Sequence, residues 1–144
     1  MLFSAFLVFT LLTACPREAL PDQSLEGTSW VLLKFSLSDG SLLEPQEGKP
    51  ITLAFRADQA SGSAGCNSYF APYEYGPKGG QLKFDGIGAT EKYCEGLMKQ
   101  EKQYLDILEQ ANAYIIRTGQ LEISGPGGKL LFKTEGDSQP KQDP

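Results

Sequence analysis

The sequence predicts an α+β domain, in which about seven or eight short strands form a bent antiparallel sheet or an open β-barrel with one packed helix. Segments that alternate between apolar and polar residues recur along the chain, and turns rich in Gly, Asp and Pro separate them. One longer segment has helical periodicity instead. Because three strands joined by short turns follow this segment, the order argues against a parallel βαβ fold.

Four strands are predicted before the helix, from the alternation of apolar and polar residues or from a content of aromatic residues that favours an extended backbone. They lie at residues 31–37, 51–56, 69–75 and 81–87. Residues 42–50 are expected to be irregular, and residues 57–60 are expected to form a turn. The small residues of segment 61–67 would let the backbone approach another element closely.

Residues 95–111 form the predicted helix. Its apolar positions fall on one side, which would face the sheet: Leu97, Met98, Tyr104, Leu105 and Leu108. Three further strands are predicted at residues 113–117, 120–124 and 129–134. Turns at residues 118–119 and 125–128 join these strands.

The N-terminal segment predicts export and lipidation. Residues 1–14 are uncharged and contain an apolar run too short to span a bilayer, which needs roughly 20 residues. The order Leu12-Thr13-Ala14-Cys15 resembles the bacterial lipobox, in which the cysteine becomes the acylated N-terminus. The segment lacks the usual Lys or Arg, so the gene start is expected upstream or the segment trimmed.

This interpretation divides the chain into four parts. Residues 1–14 are the signal peptide, residues 15–26 are the lipidated Cys15 with a flexible tether, residues 27–134 are the domain, and residues 135–144 are a disordered tail. Because Pro16 follows the anchor instead of Asp, the periplasmic face of the outer membrane is expected in a host with two membranes.

Composition narrows the functional classes. The chain has 13 basic and 18 acidic residues, a net charge of −5 and no histidine. No basic cluster suits nucleic acid, and an acidic surface is weakly repelled by anionic headgroups, so membrane contact should come from the lipid alone. The absence of histidine excludes catalysis with His and His-ligated zinc, and we expect no metal or cofactor.

Cysteine usage predicts one disulfide. Once Cys15 carries lipid, Cys66 and Cys94 remain as an even pair in an exported protein, where oxidation is favoured. Two buried free thiols are the alternative. A bond between them would pin the helix onto the sheet.

Three segments together resemble the META domain family, which includes the HslJ-like bacterial lipoproteins. They are Gly27-Thr28-Ser29-Trp30, Gly65-Cys66-Asn67-Ser68-Tyr69-Phe70, and residues 87–94 followed by a helix with Met98 and Glu101. The resemblance covers about residues 25–134. It implies a compact sheet-plus-helix domain, often lipid-anchored and associated with stress response and antibiotic tolerance, with no established catalytic residues.

The motif residues Gly65, Asn67 and Thr90 are interpreted as structural, with ligand binding as the alternative for Asn67. At position 91 this chain has Glu within Thr90-Glu91-Lys92, where relatives have a Thr-Arg-Met-like stretch, so a basic role there does not carry over. Tyr69, Tyr73 and Tyr75 are interpreted as half-buried strand residues, with an aromatic face for a sugar or peptide as the alternative.

Known catalytic patterns are missing from the sequence. It contains no Gly-x-Ser-x-Gly, no complete dinucleotide fingerprint, no Cys-x-x-Cys and no calcium loop, and carboxylates such as Asp39 and Glu44 are interpreted as solvated surface. The leading hypothesis is therefore a monomeric, non-enzymatic envelope lipoprotein that binds or assembles an envelope protein or small ligand. A carrier of a small apolar ligand is the alternative, and a carboxylate-based hydrolase is the least favoured.

Overall fold

A computed structural model describes residues 24–76 and 79–136 of the chain. It contains one α-helix and ten strands, which are, in order, β1 (Ser29–Leu37), β2 (Leu42–Leu43), β3 (Thr52–Arg56), β4 (Gln59–Ser63), β5 (Ser68–Tyr75), β6 (Gly80–Phe84), β7 (Gly88–Ala89), α1 (Met98–Glu109), β8 (Ala113–Arg117), β9 (Gln120–Gly125) and β10 (Gly128–Thr134). Within these ranges, no helix has the length and apolarity needed to cross a bilayer.

Eight of the strands form a closed antiparallel barrel, so the predicted open barrel is wrong. The order runs β1-β3-β4-β5-β6-β8-β9-β10, and β10 returns to pair with β1 from Trp30↔Thr134 to Leu37↔Gly128. Closure satisfies the hydrogen-bonding edges of the first and last strands, which an open sheet would leave exposed. Local alternation carries no information about this pairing, because its two strands lie at opposite ends of the domain.

Alternate residues of each strand fill the barrel interior. In β5, for example, Tyr69, Ala71 and Tyr73 are buried while the residues between them are exposed. The largest fully buried side chains include Phe35, Phe55, Tyr69, Tyr104 and Phe132. These side chains belong to one hydrophobic cluster that extends from Leu25 to Phe132.

The helix and the N-terminal residues close opposite ends of the barrel. The helix lies against the β9–β10 turn, where a Cβ on Gly125 would collide with the carbonyl oxygen of Gln110. At the other end Leu25 is fully buried, and the backbone N–H of Gly27 donates to the carbonyl of Phe55. Residues 24–26 of the predicted tether therefore pack on the domain, because the apolar Leu25 completes the core.

Most predicted elements are present with shifted ends. The helix begins at Met98 and ends at Glu109, inside the predicted 95–111. The predicted turn at 57–60 is shorter, since β4 begins at Gln59, and the segment 42–50 contains the two-residue β2. The strand predicted at 81–87 ends at Phe84. Cys15, the signal peptide and residues 137–144 lie outside the described residues.

Candidate functional site

The motif glycine lies in the tight turn between β4 and β5. The backbone N–H of Ala64 donates to the carbonyl oxygen of Asn67 at 2.8 Å, which leaves Gly65 and Cys66 as the turn residues. Gly65 has a φ of 102°, a backbone conformation that glycine adopts without the strain imposed by a Cβ. The turn directs Cys66 and Asn67 toward the start of the helix.

The Asn67 side chain uses all of its hydrogen-bonding capacity inside the protein. Its Nδ2 donates to Glu101 Oε1 at 2.6 Å and to the carbonyl of Lys92 at 3.0 Å. Its Oδ1 accepts from Thr90 Oγ1 at 2.8 Å and from the backbone N–H of Lys92 at 2.7 Å. An amide offers two donors and two acceptor lone pairs, so none remains for a ligand.

Glu101 is a buried carboxylate on the inner face of the helix, 6% exposed. Besides the Asn67 side chain, it accepts hydrogen bonds from the backbone N–H groups of Asn67 at 2.7 Å and of Cys66 at 3.2 Å. Burying a carboxylate without such partners would cost several kcal/mol, so these donors are what permits an acid at this position.

Thr90 and the disulfide hold the segment 88–94 against this turn. Thr90 Oγ1 accepts from the Ser68 N–H at 3.2 Å, and the Thr90 N–H donates to the Ser68 carbonyl at 3.0 Å. Cys66 and Cys94 form the predicted disulfide, with 5.8 Å between their Cα atoms. The structure thus brings together the five predicted motif and disulfide residues, all of which lie in the described ranges: Gly65, Cys66, Asn67, Thr90 and Cys94.

Sequence reasoning named Glu101 in the helix but gave it no role in the site. A signal was present: Glu101 lies on the same helical side as Leu97, Tyr104 and Leu108, all of which are buried. An acidic residue within an apolar stripe indicates a buried charge that needs partners. The partners themselves come from the distant β4–β5 turn and were not accessible from this pattern.

Two tyrosines extend the polar contacts into the core. Tyr69 Oη donates to the carbonyl of Thr52 at 2.7 Å and lies 2.6 Å from Tyr104 Oη. Burial is the main cause that raises the pKa of Tyr69 well above its ordinary value, and burial also raises the pKa of Tyr104. Both phenols therefore stay neutral and act as hydrogen-bonding groups in the interior.

The three tyrosines of β5 do not form an exposed aromatic face. Tyr69 and Tyr73 are buried, and Tyr75 is half-buried with its ring stacked on Tyr73 at a centroid distance of 5.8 Å. Because β5 alternates strictly, these odd-numbered positions all point into the barrel.

A groove of about 540 Å³ lies beside this site, between the β1–β2 hairpin and the helix. Its apolar lining comes from Phe35, Leu37 and Leu43, and its polar lining includes Lys99, Gln100 and Gln103. Gln100 Oε1 accepts from the Gln46 N–H at 3.0 Å, which fixes the orientation of the amide. Gln100 Nε2 is buried and has no hydrogen-bond partner among the described residues.

The two carboxylates considered for hydrolysis, Asp39 and Glu44, also line this groove, and both are exposed. The backbone N–H of Ser41 donates to Asp39 Oδ1 at 2.8 Å and lowers the pKa of Asp39. A lowered pKa favours the ionised form and disfavours a general acid. In the part of the chain that the structure describes, no group of His, Cys, Asp and Glu is arranged to hold a metal ion.

Comparison with known proteins gives a family profile and three structural likenesses. The META domain profile matches residues 23–137. An NMR structure of a protein from Burkholderia xenovorans is similar, with 28% identity, a TM-score of 0.64, and coverage of 78% of this chain and 84% of that chain. No curated protein matches the sequence.

Two more distant structures are similar in fold alone. One is an NMR structure with 20% identity and a TM-score of 0.57, covering 76% of this chain and 90% of the other. The second is a crystal structure of a DUF4847 family protein from Bacteroides vulgatus, with 12% identity, a TM-score of 0.54, and coverage of 76% and 93%.

Proposed function

We propose that this chain, which belongs to the META domain family, is a non-enzymatic binding or assembly module that a lipid on Cys15 anchors in the bacterial envelope. The observation that carries the proposal is the saturation of the motif. Both donors and both acceptor lone pairs of the Asn67 side chain are hydrogen-bonded to Glu101, Thr90 and Lys92. Glu101 itself is only 6% exposed. A catalytic carboxylate must reach its substrate, so this arrangement favours a structural role for the motif.

The anchor is tested by intact-mass measurement on protein extracted from its host membranes with detergent. We expect the polypeptide to begin at Cys15 and to carry two or three acyl chains, which together give stable membrane attachment. Cys15→Ser should lack this mass and leave the membrane fraction. An unmodified Cys15, or a chain that keeps residues 1–14, would refute the anchor.

The non-enzymatic role is tested by complementing a deletion strain under heat or antibiotic stress. Glu101→Gln keeps the shape of the side chain and removes its charge. We expect survival to follow the amount of folded protein, measured in the same cells. A variant that accumulates to the level of the parent but gives no protection would instead support a catalytic Glu101.

A second candidate function, binding of a small ligand, is favoured by the groove beside the helix. The lining of this groove contains the apolar residues Phe35, Leu37 and Leu43. Such a surface would take a small apolar ligand.

Native mass spectrometry of protein purified gently from its host tests this second function. A bound mass should be lost in Gln103→Trp, which fills the groove, and retained in Lys102→Trp, which places the same bulk at an exposed neighbouring position of the helix. An unliganded parent protein, or equal loss in both variants, would argue against the groove as a ligand site.

A further inference from the structure

The outer surface of four adjacent strands forms a continuous lattice of side chains, which we call the basic wall. Outward positions of β1, β10, β9 and β8 are matched in register across the sheet. In the strand order β1, β10, β9 and β8, the first row consists of Ser36, Lys129, Ser124 and Ala113. The second row consists of Lys34, Leu131, Glu122 and Ile115. The third row consists of Val31, Lys133, Gln120 and Arg117.

The wall is basic although the chain as a whole is acidic. It carries Lys34, Arg117, Lys129 and Lys133 against the single acid Glu122, whereas the net charge of the chain is −5. Glu122 pairs with Lys129 at 3.3 Å, which leaves the other three bases without an acidic partner within the described ranges. Glu135, the exposed residue that follows β10, is acidic and lies at the edge of the wall.

Apolar side chains are interspersed among these bases. Val31, Ile115 and Leu131 are half-buried yet lie outside the core cluster, and Leu42 of the neighbouring strand is 69% exposed. A depression of about 230 Å³ lies among Lys34, Lys129, Leu42 and Leu131, and its lining also includes Glu122, the partner of Lys129. Cations that flank an aliphatic floor suit a phosphate-bearing headgroup above the first methylenes of a lipid.

The acidic residues on the far side of the barrel do not cancel this attraction. Asp58, Glu74 and Asp85 lie together around a cleft bounded by β5. Eight tilted strands spaced about 4.8 Å apart enclose a barrel about 16 Å across. This width exceeds the Debye length of about 8 Å at physiological ionic strength, so a surface in contact with the wall experiences mainly the wall's charges.

We infer that the basic wall docks the domain sideways onto an anionic phospholipid bilayer. The inference rests on the proposed envelope location, since the tether must hold a bilayer within reach. It departs from the expectation based on net charge, by which the lipid alone would make the membrane contact. The charge distribution, which only the strand register reveals, opposes that expectation.

Vesicle co-sedimentation tests the wall without the anchor. The protein from residue 16 onward, with no acyl chain, is mixed with vesicles of phosphatidylcholine alone or with three parts in ten phosphatidylglycerol. We expect binding that requires phosphatidylglycerol and weakens with salt. Lys34→Gln with Lys129→Gln should reduce partitioning about 25-fold, because each base near the surface contributes about fivefold.

The matched control is Lys83→Gln with Lys102→Gln, which removes the same charge from exposed positions outside the wall and should bind like the parent. Leu42→Asn should weaken binding by a factor that persists at high salt, which separates bilayer insertion from attraction to any polyanion. Circular dichroism confirms that every variant is folded.

Three outcomes would overturn the proposal. The parent could bind both vesicle types equally, or both double variants could lose binding equally. A salt-sensitive dimer that the wall variant dissociates, without any vesicle binding, would instead assign the wall to a second copy of the chain. Because no acyl chain is present, these results are independent of the mass measurement on Cys15, and either proposal can fail alone.

Discussion

At the residue scale, Asn67 and Glu101 join three parts of the chain that are distant in sequence. Asn67 lies in the β4–β5 turn, its Oδ1 and Nδ2 hold the backbone of Lys92, and Glu101 is contributed by the helix. The hydrogen bond between Asn67 Nδ2 and Glu101 is buried, and an unmatched donor there would be costly. Removing one member should therefore destabilise the fold more than removing a surface charge.

We expect Glu101→Ala to lower the free energy of unfolding by about 3–5 kcal/mol. The substitution leaves three donors without an acceptor, namely Asn67 Nδ2, the backbone N–H of Asn67 and the backbone N–H of Cys66. Urea denaturation of the oxidised protein measures this loss. Glu109→Ala, at an exposed position of the same helix, should change stability by less than about 0.5 kcal/mol. Similar effects of the two substitutions would contradict the role assigned to Glu101.

The buried tyrosine pair predicts a loss of stability in alkali. Burial raises the pKa values of Tyr69 and Tyr104 above the ordinary value of 10.0. Below pH 10 each tyrosine is protonated in both the folded and the unfolded protein, so its full contribution to stability is present. Above pH 10 the unfolded chain releases protons that the folded protein retains, so stability falls by about 1.4 kcal/mol per pH unit for each tyrosine.

Tyr104→Phe tests that dependence. The variant should be about 1 kcal/mol less stable at pH 7, since Tyr69 keeps its bond to the Thr52 carbonyl, and its stability should fall less steeply with pH above 10. Urea titrations from pH 7 to 11 provide the comparison. Tyr93→Phe removes a phenol that is 80% exposed and should keep the parent's slope; a Tyr104→Phe slope equal to the parent's would oppose the argument.

At the element scale, the strands and the helix were predictable because each carries its own period. Alternation placed β1, β3, β5 and β6, and the apolar stripe placed the helix. The strand β4 (Gln59–Ser63) lacks a clear apolar alternation because its residues are small and polar, so its start was placed in the predicted turn at 57–60. The structure gives the reason for Gly62: a Cβ there would collide with the Thr52 carbonyl oxygen, so the strand needs glycine where it approaches its neighbour.

The disulfide fixes the segment before the helix to the β4–β5 turn, across a sequence separation of 28. Replacing both Cys66 and Cys94 by Ala should reduce the free energy of unfolding by about 2–4 kcal/mol, because the unfolded chain regains the conformations that the bond excluded. Reducing the parent with a dithiol should give the same loss, measured in urea. A reductant effect on the double variant, or equal stability of parent and variant, would contradict this account.

At the scale of the whole molecule, closure of the barrel and the grouping of charge were the features that sequence reasoning could not reach. Both depend on register between distant strands: Val31 faces Lys133, and Leu131 faces both Lys34 and Glu122. Neither the net charge nor the local alternation of residues depends on which strands are paired, so neither could predict these contacts. The candidate site was accessible in part, since the motif residues could be named, but the pairing of Asn67 with Glu101 required the fold.

The β1–β10 and β6–β8 seams differ in the paired residues that the structure describes, and this difference predicts where the barrel opens first. β1 and β10 pair from Trp30↔Thr134 to Leu37↔Gly128. Among the described residues, β6 and β8 pair at Gly80↔Tyr114 and Gln81↔Ala113, followed by a long hydrogen bond of 3.3 Å from the Leu82 N–H to the Asn112 carbonyl. Local opening follows the least supported contacts, so the β6–β8 seam should separate without global unfolding.

Native-state hydrogen exchange measured by NMR tests this expectation. The Leu82 amide should exchange at least about tenfold faster than that of Leu32, whose N–H donates to the Ile51 carbonyl at 2.9 Å beside the β1–β3 pairing. Low concentrations of urea should accelerate Leu32 and leave Leu82 almost unchanged, because only global unfolding exposes much new surface. If both amides exchange at one rate with one urea dependence, the barrel opens as a single unit and the seam has no separate role.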